Sequence, residues 1–269
     1  MLHRVTLLLI TYNELPNVER CLERLTWASR IVVVDSHSDD GTVAAATRHP
    51  AVTVHQRPFD SFAEQCNFGL DQVETEWVLS LDADYLCAGL AGEIERLAPE
   101  AEVSGYAAAF RYCIDGRPLR GTLYPPRVVL FRTKRGRYFQ DGHAHRLALG
   151  GEVRRLTSRI DHDDRKPLSA WLAAQQRYAW AEADKLTTSP RAQLGTTDRL
   201  RRIPFVVPML TPLFCLLFKG LALDGLPGLY YTGQRTYAEL LLSLRLVELR
   251  LAGRRARAEA RRQPSRPAP

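Results

Sequence analysis

Trp77-Val78-Leu79-Ser80-Leu81-Asp82-Ala83-Asp84 is the stretch from which the rest of the chain can be read. Its apolar run suits a buried strand that ends abruptly in two carboxylates separated by one small residue. In an extended segment residues i and i+2 point the same way, so Asp82 and Asp84 are expected to face one site at the strand's carboxyl end. Open α/β sheets bind their ligands at that end of their strands. Two hard oxygen donors set together repel unless a cation shares them, and Mg2+ or Mn2+ held against substrate phosphates is the usual solution. The competing reading is a solvated turn, because acid-x-acid after a strand is common.

Upstream, Val5 to Ile10 and Ile31 to Val34 are continuous apolar runs of the kind covered on both faces, and Ala51 to Gln56 reads as a third strand. Between them Val18, Cys21, Leu22 and Leu25 recur at helical spacing, with Pro16 suited to the first turn. A short Ala-rich helix ending at Arg48 follows Gly41-Thr42, and Phe62, Cys66, Gly69, Leu70 and Val73 mark another. Strand and helix thus alternate four times in about the first 85 residues, the pattern of a mostly parallel sheet with helices on both faces. Three strand ends carry polar clusters: Thr11 to Glu14, Asp35 to Asp40, and Asp82 with Asp84.

After Asp84 the rhythm changes. Ala88 to Leu97 suits a helix, and Gly105 to Cys113 and Arg127 to Arg132 suit longer strands around the turn sequence Asp115-Gly116-Arg117-Pro118. Tyr138 to Leu149 is polar and His-rich, and Ser169 to Lys185 is amphipathic. Ile203 to Leu223 is the most apolar window, but Pro204, Pro208 and Pro212 break it, so a kinked, interfacial or re-entrant segment is expected instead of a straight span, with a buried core helix as the alternative. Gln234 to Leu251 reads as a helix with a broad apolar arc, in which Leu242, Leu246 and Leu249 widen the stripe of Tyr237, Leu240, Leu241, Leu244 and Leu251.

The chain has 269 residues, 45% hydrophobic, enough for a real core. Residues 253–269 hold six arginines and one acid, so +5 of the net +7 lies there and the body is nearly neutral. With an apolar region before it and no nucleic-acid module, this end is read as a tether to an anionic membrane surface. Five dispersed cysteines without a Cys-x-x-Cys pair argue for free thiols in a reducing compartment. Val5 to Ile10 is too short for the core of an export signal, so a cytoplasmic location is expected, on or embedded in the inner face of the cell membrane.

Ile10-Thr11-Tyr12-Asn13-Glu14, Val32 to Thr42 and Leu79 to Asp84, in this order and spacing, resemble the three opening motifs of glycosyltransferase family 2, including the branch related to lipopolysaccharide core β-glycosyltransferases. The resemblance implies a GT-A type α/β domain over residues 1–190, with a nucleotide-binding half (1–85) and an acceptor half (86–190). A helical membrane-associating region over 191–252 and a basic disordered tail over 253–269 follow. It implies that Thr11, Tyr12, Asn13, Glu14, Asp35, Ser36 and Asp82 bind the nucleotide of a sugar donor, UDP-sugar being favoured, and that Asp82 and Asp84 hold a divalent cation against the diphosphate. Asp35 also suits an N-cap or turn acid.

An inverting transfer needs a base within reach of the acceptor hydroxyl. Relatives carry Glu-Asp or His-Glu in the segment that here reads Asp141-Gly142-His143-Ala144-His145-Arg146, so this chain departs from the pattern and its candidates are Asp141 first, then His143 and His145. In Ile160 to Lys166, His162 is a candidate third metal ligand, and Arg165 or Lys166 a phosphate clamp. The Gln-x-x-Arg-Trp spacing of processive synthases is not met by Gln175 to Trp180, so transfer of one sugar is expected. The reading is metal-dependent, inverting transfer to a cell-envelope glycan or lipid-linked acceptor. Transfer to a polyprenyl phosphate and a non-catalytic nucleotide-sugar-binding scaffold are the alternatives.

Overall fold

The computed structural model describes residues 1–262. The first half follows the alternation in the sequence: β1 (Val5–Thr11), α1 (Leu15–Glu23), β2 (Ile31–Asp35), α2 (Thr42–Ala46), β3 (Val52–Gln56), α3 (Phe62–Asp71) and β4 (Trp77–Asp82). β1 lies between β2 and β4, and all pairings among β1 to β4 are parallel. Leu7, Leu8 and Leu9 of β1 are completely buried because helices cover both faces of the sheet. One core lies on the α1 and α2 side and contains Leu7, Leu9, Val18, Leu22 and Leu79. The other lies under α3 and joins Leu8, Cys66, Leu70 and Phe131.

The second half adds β5 (Tyr85–Leu86), α4 (Leu90–Arg96), β6 (Val103–Ile114), β7 (Arg117–Pro118), β8 (Arg127–Arg132), the hairpin strands β9 (Gly136–Asp141) and β10 (Ala144–Leu149), and β11 (Glu152–His162). The main sheet runs β3-β2-β1-β4-β8-β6-β11-β5, with β7 paired to β6 and the β9–β10 hairpin separate. Two features position the site. β8 is antiparallel to β4, so it starts where β4 ends. β5, three residues beyond β4, pairs with the carboxyl end of β11 and brings the segment after Asp82 across to the far edge.

Four α-helices follow: α5 (Leu168–Thr188), α6 (Thr196–Arg201), α7 (Val206–Leu213), which contains Pro212 and passes into a π turn over 214–218 and a 3-10 turn over 221–224, and α8 (Leu226–Arg262). The expected kink is therefore present, with a mid-helix proline and a π turn as its physical causes. α8 starts eight residues before the expected helix and continues into the arginine-rich stretch read as disordered, as far as Arg262; residues 263–269 lie outside the described residues. The broad apolar arc of this helix is not one outward face. Leu242 and Leu246 are buried against Ala179, Ala183 and Leu186 of α5, while Tyr231 packs with Tyr112, Cys215 and Leu221. Among the described residues no helix is long and apolar enough to cross a membrane.

Candidate active site

The parallel register sets three polar strand ends side by side: Thr11 opposite Asp35, and Ile10 opposite Asp82. Asp35 is fully buried. It accepts hydrogen bonds from Thr11 Oγ1 (2.9 Å), Ser38 N (2.8 Å) and Gln56 Nε2 (3.2 Å). The loops after β1 and β2 are fastened to each other: Asn13 N donates to Ser38 Oγ, Asp39 N to Asn13 Oδ1, and Glu14 N to Thr42 Oγ1. Ser36 Oγ accepts from Gln65. The side chains of Thr11, Asn13, Asp35 and Ser36 thus all take part in fastening the loops at this rim, and the buried carboxylate of Asp35 has its lone pairs satisfied. Asn13 and His37 sit at positive φ, which aids the tight approach of the two loops. Tyr12 stands out from this rim with 53% of its surface exposed, a flat ring free to stack.

Arg127 is the first residue of β8, which runs antiparallel beside β4, so it lies toward the end of the sheet where β4 finishes in Asp82. Arg127 donates to Tyr124 Oη (2.9 Å), and Tyr124 Oη is 2.7 Å from Tyr85 Oη. Burial alone would push the Asp82 carboxyl up. Arg127, then His145, a Tyr85 hydrogen bond and His162 outweigh burial and hold it below the usual carboxylate range. Sequence reading missed Arg127, which is a strand's first residue behind Pro125-Pro126; its importance lies in the antiparallel register, not in a local pattern.

The β5–β11 pairing places His162 opposite Tyr85, and His162 Nε2 meets Asp84 Oδ2 at 3.0 Å. Burial would lower the His162 imidazole, but Asp84 outweighs it and the ring is held above its ordinary value. His162 thus stands against the second acid of the pair, its Nε2 engaged by Asp84 and its Nδ1 buried without a hydrogen-bond partner. Among the described residues no group of three or more His, Cys, Asp or Glu is arranged to hold a metal ion. Two carboxylates still fit one. Asp84 Oδ1 is buried without a hydrogen-bond partner, an unmet oxygen donor beside Asp82, and Mg2+ or Mn2+ commonly completes its shell with water and substrate phosphate.

Of the three candidate bases on the hairpin, Asp141 is clamped by Lys185 Nζ at 2.9 Å and by Arg146. The arginine that stands where relatives carry an acid therefore neutralises the first-choice base. His145 packs on Phe62 and Tyr138, and its Nε2 is 3.3 Å from Arg127 Nη2. Burial and Arg127 outweigh Asp82 there and hold the ring below its ordinary value. His143 Nδ1 lies 2.9 Å from Glu182 Oε2.

Residues 160–166 are a structural tie as much as a site. Asp163 is buried and accepts from Gly116 N, Arg165 and Arg20, while Asn17 holds Asp164. Lys166 pairs with Glu14, whose carboxyl burial pushes up to about 7, with Asp84 adding and Lys166 subtracting. Beside this tie a cleft of about 350 Å3 lies between Tyr112, Lys166, Trp171, Tyr230 and Gln234.

Residues 6–151 match the sequence model of Glycosyl transferase family 2. The chain belongs to glycosyltransferase family 2. It is a sugar-transferring enzyme of the GT-A type, and the matched segment includes every strand end described above except that of β11. Among curated relatives, the lipopolysaccharide core biosynthesis glycosyltransferase LpsC of Rhizobium meliloti (strain 1021) is 26% identical over 216 residues, 75% of this chain and 76% of that protein. Among solved structures, S. aureus TarS 1-349 in complex with UDP aligns over 90% of this chain and 91% of that one (TM-score 0.44, 15% identity). Glucosyl-3-phosphoglycerate synthase from Mycobacterium tuberculosis, in complex with Mn2+, UDP and phosphoglyceric acid, aligns over 71% and 81% (TM-score 0.43, 13% identity).

Proposed function

We propose that this family 2 enzyme transfers one sugar from a nucleotide sugar, with inversion at the anomeric carbon, to a cell-envelope glycan or glycolipid of the lipopolysaccharide type. The observation that carries the reading is the convergence of the β1, β2 and β4 ends on one rim that holds Asp82 and Asp84. The tyrosine of the first motif supplies a stacking face for the base, and the loop fastened by Asp35 sets its position. Asp82 and Asp84 would hold Mg2+ or Mn2+, which when bound neutralises the charge that builds on the departing diphosphate. Arg127 keeps Asp82 ionised, and His162 orients Asp84. The acceptor class is supported by the name of the 26%-identical relative.

Peripheral attachment to the inner, anionic face of the cell membrane belongs to the same reading. Met209, Leu213, Leu217, Phe218, Leu223 and Leu226 are each more than half exposed in a segment where the only charges between Ile203 and Gln234 are Lys219 and Asp224. So large an exposed apolar patch, followed by an arginine-rich helix end, suits a lipid surface. The test is a panel of nucleotide sugars, UDP-sugars first, incubated with Mn2+ and core oligosaccharide. Formation of a singly extended product with inverted linkage is expected, and absence of any turnover across the panel would overturn the enzyme reading.

A further inference from the structure

We infer that Glu182 of α5 and His143 of the β9–β10 hairpin act as a pair, with His143 Nε2 taking the proton of the acceptor hydroxyl and Glu182 holding the ring for that task. The inference rests on the transfer reading above and supplies the base that the departure at Arg146 removes.

Elimination comes first. Asp141 is committed to Lys185 and Arg146, and withdrawing a proton would cost those ion pairs. At His145 the neighbour of Nε2 is an arginine, which can only donate, so the lone pair a base needs is already engaged. His143 is arranged the other way round. Its Nδ1 faces a carboxylate, which can only accept, so Nδ1 carries the hydrogen and Nε2 the lone pair. The side chain is 40% exposed, and among the described residues Nε2 has no hydrogen-bond partner.

The carboxylate behind the ring is built for its role. Glu182 is only 5% exposed. Burial pushes its carboxyl up, yet the His143 hydrogen bond and the charges of Lys185 and Arg201 work against burial, and the carboxyl is held below its ordinary value. The backbone makes room for the contact: Gly142 has φ +63°, and a Cβ there would lie 2.3 Å from Glu182 Oε2. The pair is joined to the rim by packed rings: the His143 ring centre is 5.3 Å from that of Tyr178, Tyr178 packs on Phe62 at 6.2 Å, Phe62 on His145 at 5.9 Å, and His145 Nε2 is 3.3 Å from Arg127 Nη2. A base oriented by a buried acid is the general logic of histidine catalysis.

In the step, the acceptor O–H bond breaks and its proton passes to His143 Nε2 as the oxygen forms its bond to the anomeric carbon. The bond from that carbon to the diphosphate breaks, and its electron pair leaves with the nucleoside diphosphate. His143 thereby becomes cationic, and Glu182 stabilises it through Nδ1–H. The charged and titratable groups around the pair are Tyr178 and Lys185 of α5, Asp198 and Arg201 of α6, and Asp141 and Arg146 of the hairpin.

The test compares His143→Gln and Glu182→Gln in the full chain, with core oligosaccharide as acceptor and UDP binding by calorimetry as the control for an intact donor site. His143→Gln is expected to lower kcat about 100-fold, at the low end for loss of a general base, with the UDP Kd unchanged. Glu182→Gln is expected to lower kcat about 10-fold with the acceptor KM and the UDP Kd unchanged, because the ring loses the acceptor that orients it for the transfer step. Wild-type kcat in His143→Gln, or a Glu182→Gln variant that changes KM and leaves kcat as in the wild type, would overturn the pair. Because Glu182 also touches Lys185 and Arg201, the exposed His143→Gln variant decides the matter alone if Glu182→Gln does not fold. A wild-type chain that binds no nucleoside diphosphate would remove the transfer reading and this inference with it.

Discussion

The β3-β2-β1-β4 side of the sheet and the β8-β6-β11-β5 side, with its hairpin, build one site by different means. On the parallel side each functional residue stands at or just after the end of its own strand, so a position in the sequence is already a position at the rim. On the other side every contact to that rim is made across elements: Arg127 reaches Asp82 through antiparallel register, His162 reaches Asp84 through a two-residue strand, and His143 reaches Glu182 across a hairpin and a helix. Donor chemistry therefore resides in motifs, and what tunes it resides in topology.

The largest effect separates the two sides at their seam. Asp84→Asn keeps a hydrogen-bonding group for His162 and removes the carboxylate charge. Transfer is expected to fall by about 1,000-fold, the loss of an electrostatic contribution of about 4 kcal/mol, in protein that still shows the circular-dichroism spectrum of the wild type. Initial-rate measurements on the purified variant check this, and retained activity would detach the motif from the chemistry.

Next comes Arg127→Met, which takes away the positive charge that tunes the half-buried Asp82. A loss of about 1 kcal/mol in urea unfolding is expected at neutral pH. The sign follows from Asp82, whose folded carboxyl lies below its ordinary value of 3.8. In the wild type that contribution is present above the ordinary value and is lost as pH falls through the folded one. In Arg127→Met the acid limb of stability should therefore begin at higher pH, and an unshifted limb would mean that Arg127 does not govern Asp82.

The smallest expected effect is that of Asp141→Asn. If Asp141 only ties Lys185 and Arg146, kcat should change by no more than about 3-fold, and stability by about 1 kcal/mol, as for a partly exposed ion pair. A drop of two orders of magnitude with UDP affinity intact would return the base role to Asp141 and dissolve the contrast drawn between it and His143.

This contrast also explains what was legible in the sequence. Continuous apolar runs and helical spacing gave β1, β2 and β4 and the helices between them within a few residues, because strands buried on both faces have no other composition open to them, while the half-exposed edge strand β3 was marked by its β-branched Val52, Thr53 and Val54. β11 was missed: Glu152-Val153-Arg154-Arg155-Leu156 carries charges on a strand whose outer residues remain solvated, and no run of apolar residues marks it. The placement of the three motifs on one rim was readable from the sequence, but not that Asp35 would be fully buried, since burial of a strand-end acid depends on Thr11, Ser38 and Gln56 closing over it. His162 illustrates the remaining limit. Its proximity to Asp84 could be guessed from its chemistry, but whether it binds a metal or the carboxylate depends on which ring nitrogen faces Asp84.

The central claim is that the two acids at the end of β4 grip a nucleoside diphosphate through a divalent ion. Calorimetric titration of UDP into the wild-type chain and into Asp84→Asn, with Mn2+ and with EDTA, tests it most directly. Mn2+ should tighten UDP binding at least about 10-fold in the wild type, or about 1.4 kcal/mol, and have no such effect in the variant. Equal affinity in all four titrations, or a metal effect that survives Asp84→Asn, would contradict the account.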